Sequence, residues 1–105
     1  MADRDFKTFK EFYPYYLSEH SLIGTRVTHF IGTSLFLIFA MSALLELKIL
    51  FLIEGIFCAY LFAWIGHFFI EKNKPATFQY PWMSLKGDFK LYFDILTGKQ
   101  GFKGQ

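Results

Sequence analysis

Two long stretches free or nearly free of formal charge, divided by only three residues, limit what this 105-residue chain can become. Val27 to Leu45 is 19 residues without a charge, and its polar members are Thr28, His29, Thr33, Ser34 and Ser42. After Glu46-Leu47-Lys48, the run from Ile49 to Ile70 holds 22 residues and a single acid, Glu54. Each run reaches the ~20 residues that cross a hydrocarbon core of ~30 Å as helix. Helix is the form available to a lone span, because an unpaired strand would leave its backbone polar groups unsatisfied in lipid. A soluble helix pair would keep a polar face at 3.6-residue spacing, whereas LFLIFAM (35–41) and ILFLI (49–53) are apolar all round. The pattern predicts an all-α integral membrane hairpin, with transmembrane helices over 27–45 and 49–70 and a tight turn at Glu46–Lys48. Residues 1–105 form a single membrane domain on this expectation.

Composition agrees. Hydrophobic residues make up 53% and aromatics 22%, 15 of the 23 aromatics are Phe, and the mean hydropathy is +0.29. A soluble domain this small has too little interior to hide so many large apolar side chains. One cysteine, Cys58, excludes a disulfide scaffold, and a net charge of +2 gives no reason to expect nucleic acid as a partner. The first 26 residues mix four basic with four acidic side chains, so no cleavable signal peptide is expected. Ten of the eleven basic residues lie outside the hairpin, and only Lys48 sits at its turn. Arg4, Lys7, Lys10 and Arg26 precede the spans; Lys72, Lys74, Lys86, Lys90, Lys99 and Lys103 follow them. The positive-inside rule then places both termini in the cytoplasm.

The flanks read as amphipathic interfacial helices over about 6–20 and 82–97. Phe6, Phe9, Tyr13, Tyr16 and Leu17 recur at helical spacing, with Pro14 expected to separate two short pieces. Trp82, Leu85, Phe89, Tyr92, Phe93 and Leu96 do so more regularly, with Lys86, Asp88, Lys90 and Asp94 largely elsewhere on the wheel. Pro81 suits the start of that helix and Gly98 its end.

Three histidines stand out against this background. Folding the hairpin at its turn puts His29 and His67 at nearly the same depth, since each residue of helix adds ~1.5 Å. Gly55, Ala59, Ala63 and His67 form one stripe, and His29, Thr33, Phe36, Ala40 and Ala43 another. Small residues let membrane helices approach closely, so these stripes are the expected contact seam. His20 would face the wrong side of an unbroken helix, but Gly24 could permit a break that returns it. Glu71 lies one turn past His67 and Glu19 adjoins His20, giving three imidazoles and up to two carboxylates at the mouth of the hairpin. One reading is polar packing; the sharper one is a metal site, because ionisable groups in or near a membrane are costly to bury. Imidazole with carboxylate suits iron, while zinc hydrolysis or a haem between His29 and His67 fits the ligands alone. Glu54 reads as a packing or oligomer contact and Cys58 as a small core residue. Arg26 and the run Glu71-Lys72-Asn73-Lys74 serve either as interface snorkels or as receivers of a lipid carboxylate.

The blocks FYPYYLSEHSLIGTRVTHFIGTSL (12–35) and WIGHFFIEKNKPATFQYPWMSLKGDFKLY (64–92) resemble the 2-hydroxy fatty acid dioxygenase family. These are small membrane proteins whose endoplasmic-reticulum type acts in phytosphingosine breakdown. The matching elements are Tyr13-Pro14, Glu19-His20, Arg26-x-x-His29-x-x-Gly32-Thr33, Gly66-His67, Asn73-x-Pro75-Ala76 and Tyr80-Pro81-x-x-Ser84-Leu85. The resemblance covers roughly Phe9 to Leu96, and the chain is a short form. It implies Fe(II)-dependent α-oxidation, in which oxygen cleaves a 2-hydroxy fatty acid or related lipid between C1 and C2. It places iron on His20, His29 and His67. Glu71 (or Glu19) would then be a fourth ligand or a base, and Arg26, Lys72 and Asn73 would bind the substrate. A two-span unit has little interior, so a homodimer resembling a four-helix bundle is expected. Location follows as a bacterial inner membrane or, in a eukaryote, the endoplasmic reticulum. The competing class is a non-enzymatic membrane hairpin that scaffolds a partner or shapes the bilayer, which gives no reason for three imidazoles at one depth.

Overall fold

Uninterrupted apolar sequence gives two long helices. In the computed structural model, which describes residues 6–103, α2 runs Ile23–Glu46 and α3 runs Ile49–Ile65. A π-helical turn, Gly66–Glu71, continues α3, so that Ile49–Glu71 is 23 residues long. Both are long and apolar enough to cross a membrane. The first begins at Ile23 rather than Val27, taking in Arg26. Leu47 and Lys48 alone connect them, with Leu47 in the left-handed region at φ 54°. The Lys48 N–H closes the end of α2 on the Ala43 carbonyl at 3.1 Å. The described residues are all-α, and no strand occurs among them. Arg4, which entered the charge count, lies outside them.

Glycine sets how closely the hairpin closes. A Cβ on Gly55 would lie 2.8 Å from Phe39 Cβ, and one on Gly32 would lie 3.0 Å from Phe62 Cβ and 3.2 Å from the Ala59 carbonyl oxygen. Gly55 and Ala59 therefore face α2 as the stripe predicts, and Gly32 joins them from the other side. The outer faces carry Ile38, Leu44, Leu45, Ile49, Leu50, Ile53 and Phe57, all exposed. So much contiguous apolar surface suits hydrocarbon as solvent.

At the open end of the hairpin sit the two shorter helices. Helix α1, Phe9–Ser18, starts at Thr8, whose hydroxyl accepts the Glu11 N–H at 3.2 Å. Pro14 lies inside this one helix and does not split it, correcting the expectation of two pieces. The aromatic cluster explains why: Phe12 from the first half and Tyr16 from the second are both buried on one core, with Phe6 and Tyr80 packed against Phe12. Helix α4, Pro81–Leu96, opens with Pro81 at its first turn and ends before Gly98, which takes φ 85° as its position suggests.

The orientation of α4 inverts the simple amphipathic picture. Its buried residues are Ser84, Gly87, Leu91 and Asp94, one stripe at 3-4-3 spacing. Trp82, Phe93 and Leu96 point outward, while Phe89 packs on Phe36 and Tyr92 on Phe30. Gly87 permits the docking, since a Cβ there would lie 2.9 Å from Tyr16 Cδ2. Tyr13 then donates to Asp94 Oδ2 at 2.9 Å, and Lys90 pairs with the same carboxylate oxygen at 3.2 Å.

Candidate metal centre

His29 and His67 come from facing helices at one depth, as the folding arithmetic expects, with ring centroids 5.0 Å apart. His20 reaches them from outside the hairpin, its ring 4.4 Å from each. The break that allows this falls at 19–22, after α1 ends at Ser18, and not at Gly24. Gly24 is inside α2, where it makes room for Ile70. The π-helical turn places His67: its wide ring lets the Lys72 N–H bond to the His67 carbonyl, and Lys72 turns the chain at φ 64°. Asn73 is thereby brought back under the imidazole.

Each ring is held by its Nδ1. His20 Nδ1 meets the Tyr16 carbonyl at 2.7 Å and His29 Nδ1 the Thr25 carbonyl at 3.1 Å. His67 Nδ1 meets Asn73 Oδ1 at 2.7 Å, and the same amide sends Nδ2 to the Glu19 carbonyl at 3.1 Å. Carbonyl oxygens only accept, so each Nδ1 carries the proton and each Nε2 presents a bare lone pair. His20 Nε2 and His29 Nε2 stand 3.1 Å apart, and one ligand nitrogen from each of the three rings lies within 4.8 Å of the others. Buried lone pairs so close repel unless something positive lies among them. Nitrogens bound at ~2 Å to one first-row cation lie roughly 3 Å from each other, so the donor set fits a metal. Three neutral imidazoles suit iron, zinc, copper or nickel. Burial, with the neighbouring imidazoles adding to it, holds His20 well below the ordinary histidine range and so in its ligand form.

The other expected site residues do something different. The Glu71 carboxylate accepts from Ser21 Oγ at 2.6 Å, the Leu22 N–H at 3.1 Å and Thr25 Oγ1 at 2.7 Å. It caps the start of α2, where free N–H groups and the helix dipole favour an anion. Neither Glu71 nor Glu19 joins the histidine cluster, which contains no carboxylate among the described residues. Arg26 is buried and sends Nε to the His20 carbonyl at 2.6 Å, with a terminal nitrogen to Gln100 Oε1 and the Gly101 carbonyl. It secures the His20 backbone and the C-terminal segment. Lys72 is exposed at the turn, and Asn73 orients His67.

A cavity of about 360 Å³ opens from the three imidazoles, within the range of small-molecule sites. Leu52, Ile56, Ala59 and Ala63 of α3 line it together with Phe36 and Phe89. From His67 to Leu52 that wall covers about 22 Å of helix at ~1.5 Å per residue. Arg26, Lys72 and Asn73 are not among its lining residues; Ser84 and Asp88 of α4 are. The Tyr16 hydroxyl donates to Asp88 Oδ1, and the Tyr16 ring stacks on His20 at 4.0 Å. Burial pushes the Asp88 carboxyl up to about 7, the Tyr16 bond pulling the other way. Polar residues on an amphipathic helix read as solvated, so Asp88 carried no signal of facing inward. Ser84 stood only as one letter of a motif.

No curated protein matches the chain, and no solved structure does. A family model does, over residues 6–100, and its description is 2-hydroxy-palmitic acid dioxygenase Mpo1-like. That match takes in every helix and all three histidines. The chain belongs to the 2-hydroxy-palmitic acid dioxygenase Mpo1-like family.

Proposed function

We propose that the protein is a membrane-embedded, non-haem Fe(II)-dependent dioxygenase that shortens 2-hydroxy fatty acids, or related lipids, by one carbon. The observation that carries this is the convergence of three Nε2 lone pairs, each fixed by a bond on the other ring nitrogen, at the end of an apolar cavity. The family description supplies the substrate class. Iron on His20, His29 and His67 would supply the electron chemistry that lets molecular oxygen react with the hydroxy acid.

The chain's own part is positioning and shielding. The carbonyls of Tyr16 and Thr25 and the amide of Asn73 keep the three rings aimed at one point, which is how outer-shell groups tune a metal site. The apolar wall from Ala63 to Leu52 takes the acyl tail and holds water away from the reacting end. With the tail so directed, the carboxyl and 2-hydroxyl carbons lie at the imidazoles, so that reactants meet already oriented. The overall change balances without an outside reductant: the hydroxy acid and O2 give the shorter acid, carbon dioxide and water, with the C1–C2 bond broken.

Both spans are read as crossing the membrane, with the termini and the histidine end cytoplasmic; reporter fusions at the two ends should both report the cytoplasm, and a translocated end would overturn that orientation. A second copy of the chain completes a four-helix bundle on this account. The activity is tested by aerobic incubation of iron-loaded protein with 2-hydroxy acids of several chain lengths. The expected product is the acid one carbon shorter. Hydrolysis of an ester or amide instead would move the metal to zinc and the reaction to another class.

A further inference from the structure

Ser84 is 2% exposed, and its Oγ is buried with no hydrogen-bond partner. A buried hydroxyl left without a partner is costly, so its place calls for an explanation. It lies on the wall of the histidine cavity, one helical turn from Asp88 on the same face of α4. Asp88 lines that cavity too, and the Tyr16 hydroxyl anchors one of its two oxygens. The three imidazoles line the same cavity, and the rest of its wall is mostly apolar. The cavity thus has a second polar element, contributed by α4, that neither holds the histidines nor caps a helix.

We infer that Ser84 and Asp88 form the head-group reader of the cavity, Ser84 Oγ donating to the carboxylate of a bound 2-hydroxy acid and Asp88 accepting from its 2-hydroxyl. This rests on the proposed function for the substrate class and adds to it the residues that choose a hydroxylated acid over a plain one. The chemistry is complementary: a carboxylate offers only acceptors, which suits a hydroxyl lacking a partner, and an alcohol offers a proton, which suits a carboxylate. A plain fatty acid would leave Asp88 desolvated and unmatched, and sites built around a substrate hydroxyl reject analogues lacking it strongly for that reason. Gly87 sits between the two residues, and its lack of a side chain brings this face of α4 close enough to Tyr16 for the anchoring bond.

The test is anaerobic equilibrium binding to the iron-loaded protein in detergent, where no turnover occurs. The ligands are 2-hydroxypalmitate, palmitate and the methyl ester of 2-hydroxypalmitate, and iron content is measured on each sample. Wild type should prefer 2-hydroxypalmitate to palmitate. Asp88→Asn, which keeps an acceptor for Tyr16, should lower that preference roughly 10- to 100-fold, the worth of one hydrogen bond to a charged group. Ser84→Ala should weaken binding of the acid, by about tenfold, and that of the ester less, since the ester carbonyl accepts only an uncharged hydrogen bond. Iron content should stay at the wild-type level in both. Unchanged preference in Asp88→Asn and unchanged acid affinity in Ser84→Ala would overturn the assignment, as would loss of iron from both variants. A wild-type protein that shortens 2-hydroxy acids while the variants keep its preferences defeats the reader alone. A wild-type protein that neither prefers nor shortens them defeats the proposed function itself.

Discussion

Asn73 shows how much of the site depends on one side chain outside the ligand set. Its amide joins the Glu19 carbonyl to His67 Nδ1 and thereby fixes which nitrogen of His67 is bare. Removing such an outer-shell partner typically lowers metal affinity by ~10–100-fold. Asn73→Ala should therefore lose affinity for Fe(II) in that range, measured by anaerobic titration, while the helical circular dichroism stays at the wild-type level. Unchanged affinity would show that His67 is held by something else. His29 and His67 were legible in the sequence because depth follows from counting residues either side of a turn. The role of Asn73 was not, because the contact runs through a π-helical turn, and a count at regular helical rise passes over that extra width. Glu71 misled for a related reason. One turn past His67 is the right spacing for a fourth ligand on a regular helix, yet here the carboxylate meets the free N–H groups of α2.

The hairpin and α4 carry the lesson at the scale of elements. Runs that are apolar all round state a pair of long apolar helices plainly, and the two helices long enough to cross a membrane follow them to within a few residues. The docking of α4 was hidden, because a half-polar wheel next to a membrane has two solutions: polar face to water, or polar face to a buried site. Ser84, Gly87, Leu91 and Asp94 take the second, with Tyr13 supplying a hydroxyl to Asp94 and Tyr16 one to Asp88. Close contact in the hairpin depends in turn on small residues, Gly55 foremost, whose Cα faces the Phe36 and Phe39 backbone turn. Gly55→Leu should overpack this crossing and cost about 1–3 kcal/mol. The fall in thermal midpoint of the detergent-solubilised protein measures it; a wild-type midpoint would mean that the spans are not packed at Gly55. The histidines lie well away from Gly55 along the helix, so a variant that remains folded should still bind iron.

At the scale of the molecule, a chain this short places its buried polar chemistry at one end and its exposed apolar surface at the other. The fold serves that division: the two long helices supply depth and much of the cavity wall, α1 with the 19–22 break delivers His20, and α4 adds Ser84, Asp88 and Phe89 to the wall. Fold class and the identity of the three histidines could be read from sequence, whereas the wall of the cavity could not, because it is assembled from segments remote in the chain. The central claim is that His20, His29 and His67 together make one iron site. Its most direct test is the stoichiometry of Fe(II) bound after anaerobic loading of the purified protein, compared with His20→Ala, His29→Ala and His67→Ala. The expected result is one iron per chain in wild type and loss of tight binding in each of the three variants. Full iron occupancy in the variants, or none in a folded wild type, would contradict it.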